Sequence, residues 1–135
     1  MKALLFAPLW LLISLNDGFW QPRSDQARVI IYRQREFGGN AYAIKINDRE
    51  KTQLPTNRYI QVDVLPGRVK LESVKDYFSD NQILWLIAQP GQTYYVKAVE
   101  EIDFLSRTLL LAPINEEQAQ RELRKVKRIE SPLSN

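Results

Sequence analysis

On either side of Pro66-Gly67, apolar and polar residues alternate. Ile60, Val62, Val64, Val69 and Leu71 share one phase, and Tyr59, Gln61, Asp63, Arg68, Lys70 and Glu72 share the other. A period of two gives a strand one dry and one wet face, so two half-buried strands are predicted here. Ala41-Tyr42-Ala43-Ile44-Lys45-Ile46 alternates in the same way, with Tyr42, Ile44 and Ile46 together, and Asn47-Asp48-Arg49-Glu50 reads as the turn that follows. Arg28-Val29-Ile30-Ile31-Tyr32-Arg33 and Ile83-Leu84-Trp85-Leu86-Ile87 are apolar on successive positions, which predicts strands covered on both faces by a second sheet, a helix or another subunit. Thr93 to Val99 and Ser106 to Ala112 complete the strands, and Gln34 to Asn40, with Gly38-Gly39, reads as a loop.

Two segments carry the same turn chemistry, Leu65-Pro66-Gly67-Arg68 and Gln89-Pro90-Gly91-Gln92. Pro presets φ at the second turn position and Gly accepts positive φ at the third, so each predicts a type II turn. Lying between runs of β-forming residues, each is expected to close a hairpin.

The period changes near the end of the chain. Asn115 is a candidate N-cap, with Gln118 three residues on and Ile114 and Ala119 placed as a hydrophobic staple. Glu116 and Glu117 suit the positive end of a helix dipole, and Arg124, Lys125, Lys127 and Arg128 the negative end. A helix of about three turns is expected, docking through Ala119, Leu123, Val126 and Ile129. These elements predict an all-β fold, an antiparallel β-sandwich with a C-terminal α-helix.

Lys2 followed by the apolar run Ala3 to Ile13 and then Ser14, Asn16 and Asp17 changes the domain accounting. A positive start and a run too short for a membrane span read as a signal peptide, or as an N-terminal anchor if it is retained. Residues 1–20 are assigned to it, 21–27 to a linker and 28–130 to the sandwich domain with its helix. The chain is expected to be exported to the periplasm or cell envelope.

Composition narrows the chemistry further. The 135 residues include no cysteine and no histidine. Disulfides, thiolate metal sites, a cysteine nucleophile and lipidation through cysteine are excluded, and so are the commonest general base and metal ligand. The 19 basic and 16 acidic residues are interspersed, giving a net charge of +3, which argues against nucleic acid as a partner. No Gly-rich phosphate loop is present, and no metal or other cofactor is expected.

Three groups remain as candidate sites. Trp85 and Tyr95 are aromatic residues on strands, suited to an interface because they bury much area at small entropic cost. Arg121, Arg124, Lys125 and Arg128 form a basic helix stripe suited to a membrane surface or an acidic partner, although dipole complementation and pairing with Glu117 and Glu122 also account for it. Asp76, Tyr77, Phe78, Asp80 and Asn81 combine aromatic faces, carboxylates and an amide, as a sugar-binding loop would; Asp76 and Asp80 are also the best carboxylate pair for hydrolysis. A solvated hairpin loop is the plainer reading of that segment.

The strand Val29 to Arg33, Ile44-Lys45-Ile46-Asn47-Asp48, Tyr59-Ile60 before Leu65-Pro66-Gly67-Arg68, and Gln89-Pro90-Gly91-Gln92-Thr93-Tyr94-Tyr95-Val96-Lys97 ahead of an acidic helix set a further expectation. With its Pro-Gly-x-Thr-Tyr-Tyr motif, the stretch from Arg28 to Lys127 resembles a bacterial domain-of-unknown-function family of small exported cell-envelope proteins, many of them lipoproteins. The resemblance implies an immunoglobulin-like or transthyretin-like sandwich and transfers no catalytic residue. This chain departs from it in lacking the lipid-attachment cysteine and in having Val69 where relatives often have His. The expected function is that of a non-catalytic structural or protein-interaction module acting through an envelope protein or self-association, with carbohydrate or membrane-surface binding as the alternative.

Overall fold

The computed structural model describes residues 23–75 and 82–129. The leader read over residues 1–20 and the loop residues Asp76, Tyr77, Phe78, Asp80 and Asn81 lie outside them. Among the described residues, nine strands and one helix follow in the order β1 (Ala27–Arg33), β2 (Tyr42–Ile46), β3 (Arg49–Leu54), β4 (Arg58–Val64), β5 (Gly67–Val74), β6 (Gln82–Ala88), β7 (Thr93–Ile102), β8 (Arg107–Ile114), α1 (Glu116–Leu123) and β9 (Lys127–Arg128).

The strands form two sheets. A five-stranded sheet runs β8-β7-β1-β4-β9 and a four-stranded sheet runs β3-β2-β5-β6. Their inner faces enclose one core built from the alternating positions: Val29 and Ile31 of β1, Ile60 of β4 and Val96 and Ala98 of β7 meet Tyr42, Ile44, Val69 and Leu71 of the other sheet. This is the expected β-sandwich with a C-terminal helix. Pairing is antiparallel except for β1 with β7 and β4 with β9, which run parallel.

A turn forms at Pro90-Gly91 and only a bend at Pro66, with Gly67 at φ +122° opening β5, and neither closes a hairpin. Gly91 has φ +75° and Gln92 N–H donates to the Gln89 carbonyl at 3.3 Å, the hydrogen bond of the expected turn. The strands on its two sides, β6 and β7, nevertheless belong to different sheets, as do β4 and β5 around Gly67. Each turn is a corner that carries the chain across the sandwich. The physical reason is pairing beyond the turn: Gly91 N–H donates to the Gln26 carbonyl and Arg28 N–H to the Gln92 carbonyl, which seats β7 beside β1 instead of beside β6.

Hairpins occur elsewhere. β5 pairs with β6 and β7 with β8, and β2 pairs with β3 through Asn47-Asp48, whose φ values of 52° and 69° make the two-residue turn with matching strand twist. The turn expected over 47–50 is therefore shorter, and Arg49 to Leu54 form a strand that charge had concealed. Only Thr52 and Leu54 of β3 are buried.

The helix is shorter than three turns. Asn115 caps it, its side chain accepting from Gln118 N–H at 2.8 Å, and Leu123 ends it. Lys127 and Arg128, expected in the last helical turn, leave it to add a short strand, with Lys127 N–H donating to the Asn57 carbonyl and Ile129 N–H to that of Tyr59. The backbone there gains sheet partners that a fraying helix end lacks.

Candidate functional site

The helix lies on the outer face of the five-stranded sheet and is held there by polar contacts over an apolar seam. Tyr32, fully buried on that face, donates its hydroxyl to Glu122 Oε1 at 2.6 Å. Lys97 Nζ donates to Glu122 Oε2 at 3.1 Å, and Gln118 Nε2 adds a weaker contact at 3.4 Å. Ala119 and Val126 fill the space below. The Tyr32 hydrogen bond, reinforced by Lys97, holds the Glu122 carboxyl below its ordinary range although desolvation acts the other way. Burial, with the adjacent Glu122 charge, pushes the Tyr32 phenol far above its ordinary value.

A group whose folded pKa is lowered stabilises the fold above its unfolded pKa and loses that contribution as pH falls through the folded value. Helix docking should therefore weaken on acidification below the ordinary glutamate range of about 4.3. Acid titration of urea midpoints checks this: wild type should lose stability on that limb, and Glu122→Gln should be lower near neutrality but flatter in acid. Equal acid slopes would refute it.

Two grooves flank the helix. The larger, about 1040 Å³, lies between the helix and the sheet and is lined by Tyr59 and Tyr95, Arg28, Arg124 and Arg128, with Gln120 from the helix. Strand alternation aims these tyrosines outward, since Ile60, Val96 and Ala98 occupy the inward phase. Arg28 is clamped by Asp63 through two hydrogen bonds of 2.9 and 3.3 Å, whereas Arg124 and Arg128 have no ion pair among the described residues. The smaller groove, about 620 Å³, opens on the other flank of the helix and takes Arg35, Arg121 and Lys125. Arg121 is partly answered by Glu117 at 3.5 Å.

The helix thus splits the expected basic stripe: Arg124 and Arg128 join Tyr95 in one groove, and Arg121 and Lys125 face the other. Trp85 is not beside Tyr95. It lies 51% exposed on β6, in the opposite sheet. The apolar run of β6 is buried on its inner face, where Leu86 and Ala88 lie, while Ile83, Trp85 and Ile87 stand on its outer face about half exposed.

A second polar cluster went unread in the pattern. Arg33 is wholly buried between the sheets, donating Nε to Glu36 at 2.7 Å and Nη1 to the carbonyls of Leu54 and Asn40. Its Nη2 lies 3.8 Å from Glu100 and has no hydrogen-bond partner. Tyr42 Oη donates to Glu100 at 2.6 Å, and Glu36 accepts from Glu100 N–H at 3.0 Å. Burial, followed by the hydrogen bond to Glu100 and its charge, pushes the Tyr42 phenol far up. A signal existed: Arg33 continues the inward phase of Val29 and Ile31, and Glu100 that of Val96 and Ala98. These carboxylates face a cation and a phenol inside the sandwich, so the cluster ties the two sheets together.

Among the described residues no group of acidic side chains has the make-up of a metal site, and no helix is long and apolar enough to cross a membrane. No protein-family model, curated protein or solved structure matches the chain.

Proposed function

We propose that this protein is an exported, non-catalytic interaction module of a bacterial cell envelope, and that it holds an acidic segment of a partner protein in the larger groove beside the helix. One observation carries the reading: two tyrosine faces and two arginines without ion pairs converge in a single recess. Tyrosine offers rigid amphipathic area, and arginine forks match carboxylates in two-point contacts. The leader-like N-terminus and the resemblance to small envelope proteins support export, and the missing histidine and cysteine support binding over catalysis.

A photo-crosslinking residue in place of Gln120, in the full chain expressed in native envelopes, tests the proposal. Arg124→Glu with Arg128→Glu should abolish a protein adduct that Arg121→Glu with Lys125→Glu leaves intact. Loss in both pairs, or in neither, sinks the groove. Recovery of the chain from the cytosol sinks export. Binding to anionic vesicles that collapses with salt and ignores the groove variant would favour the membrane-surface alternative instead.

A further inference from the structure

Each sheet edge among the described residues has a guard except one. β3 carries Arg49, Glu50 and Lys51 and meets β2 through a register shift. β8 contains Pro113, and β9 is two residues long and basic. Such devices keep unpaired strand edges from recruiting other chains. β6, reading Gln-Ile-Leu-Trp-Leu-Ile-Ala over 82–88, has no charge and no proline, and it pairs with β5 in unbroken register from Ser73–Gln82 to Gly67–Ala88. Its outward side chains Ile83, Trp85 and Ile87 are 49%, 51% and 61% exposed.

We propose that the free edge of β6 pairs antiparallel with β6 of a second copy of this chain, centred on Trp85, joining the two four-stranded sheets into one. The strand is complementary to itself in this register: Trp85 opposes Trp85, Ile83 opposes Ile87, Leu84 opposes Leu86 and Gln82 opposes Ala88. All seven residues pair, and the apolar stripe stays on one face. No charged side chain lies on β6 itself to meet its like across the axis, and Arg68 of β5 neighbours Ile87. The Arg68 guanidinium already lies 4.5 Å from the Trp85 ring centre, covering one side of the aromatic that sits on the two-fold axis. A two-fold contact of this kind is closed, so it ends at the dimer.

The cysteine-free chain permits a register-specific test. Opposed antiparallel residues have Cα atoms roughly 4.5–5.5 Å apart, within the ~4.4–6.8 Å span of a disulfide. Under mild oxidation Trp85→Cys should cross-link with itself, Ile83→Cys alone should not, and a mixture of Ile83→Cys and Ile87→Cys should. Sedimentation of the unmodified full chain should show a mass doubling with concentration that Trp85→Lys and, separately, Ile87→Lys abolish while leaving circular dichroism unchanged. A monomer at every concentration, a dimer that survives both lysine variants, or cross-linking indifferent to position would overturn the pairing. So would a monomer whose β6 amides resist hydrogen exchange, which would assign the edge to residues 1–22 of the same chain.

Discussion

Replacing Arg33 by Met is expected to destabilise the fold by about 3–5 kcal/mol, the usual cost of removing one partner from a buried ion pair. Methionine roughly fills the volume, so the loss is electrostatic and not a cavity effect. Glu100, whose side chain is 1% exposed, would keep its hydrogen bond from Tyr42 but lose the only cation within 4.0 Å of it among the described residues. Two backbone carbonyls, those of Leu54 and Asn40, would also lose their donor. Urea unfolding gives the measurement. Adding Glu100→Gln to Arg33→Met should restore part of the stability, because the stranded charge is removed while the carbonyls stay unanswered. A single variant within about 1 kcal/mol of wild type would mean that water reaches the cluster.

The neighbouring residue should matter as much for a different reason. Tyr32→Ala empties a fully buried aromatic site beneath the helix and is expected to cost about 3–5 kcal/mol, in the range for large aromatic truncations. Tyr32→Phe keeps the ring and removes only the hydroxyl that Glu122 accepts from, so about 1.5–3 kcal/mol is expected, the range for a hydrogen bond to a charged group. It should also let the Glu122 carboxyl rise toward its ordinary range, shifting acid unfolding to higher pH. Urea midpoints across pH separate the two effects. Because the larger groove has the helix as one wall, Tyr32→Ala should also abolish the Gln120-site adduct even where enough folded protein remains to assay. Equal stability of the Phe and wild-type proteins would show that packing alone docks the helix.

How much was legible varies with the range of the interaction. The inward phases of β2, β4 and β5 could be read directly, because a strand's side chains alternate whatever the strand pairs with; β1, apolar on successive positions, and β7, of mixed pattern, showed a strand but not its inward face. The Asn115 cap was legible because its partner, Gln118 N–H, is three residues away. Pro90-Gly91 announced a turn for the same reason. What lies beyond the turn did not follow, since a tight reversal serves a hairpin and a corner between sheets equally well. β3 escaped because an edge strand with two buried residues has too short an apolar pattern to stand out.

The candidate site divides along the same line. Tyr95, Arg124 and Arg128 were each visible as aromatic or basic residues, but their meeting depends on where the helix docks, and Tyr32, Lys97 and Glu122 decide that from positions up to 90 residues apart. Tyr59 was visible only as an outward strand residue until β4 took its place beside β1. A hairpin at Pro90-Gly91 would set Trp85 and Tyr95 on neighbouring strands, yet the corner formed there puts the two in different sheets.

The amino-acid order settled the β class, the dry faces, the turn positions and the start of the helix, all of which arise from backbone preferences and side-chain periods spanning a few residues. Folding in three dimensions decided which strands are neighbours, how the basic residues divide between two grooves, that Arg33 lies inside, and that the apolar β6 ends its sheet among the described residues. Those outcomes depend on hydrogen bonds and packing between distant segments, whose free energies are set by the whole assembly of sheets and not by any local stretch.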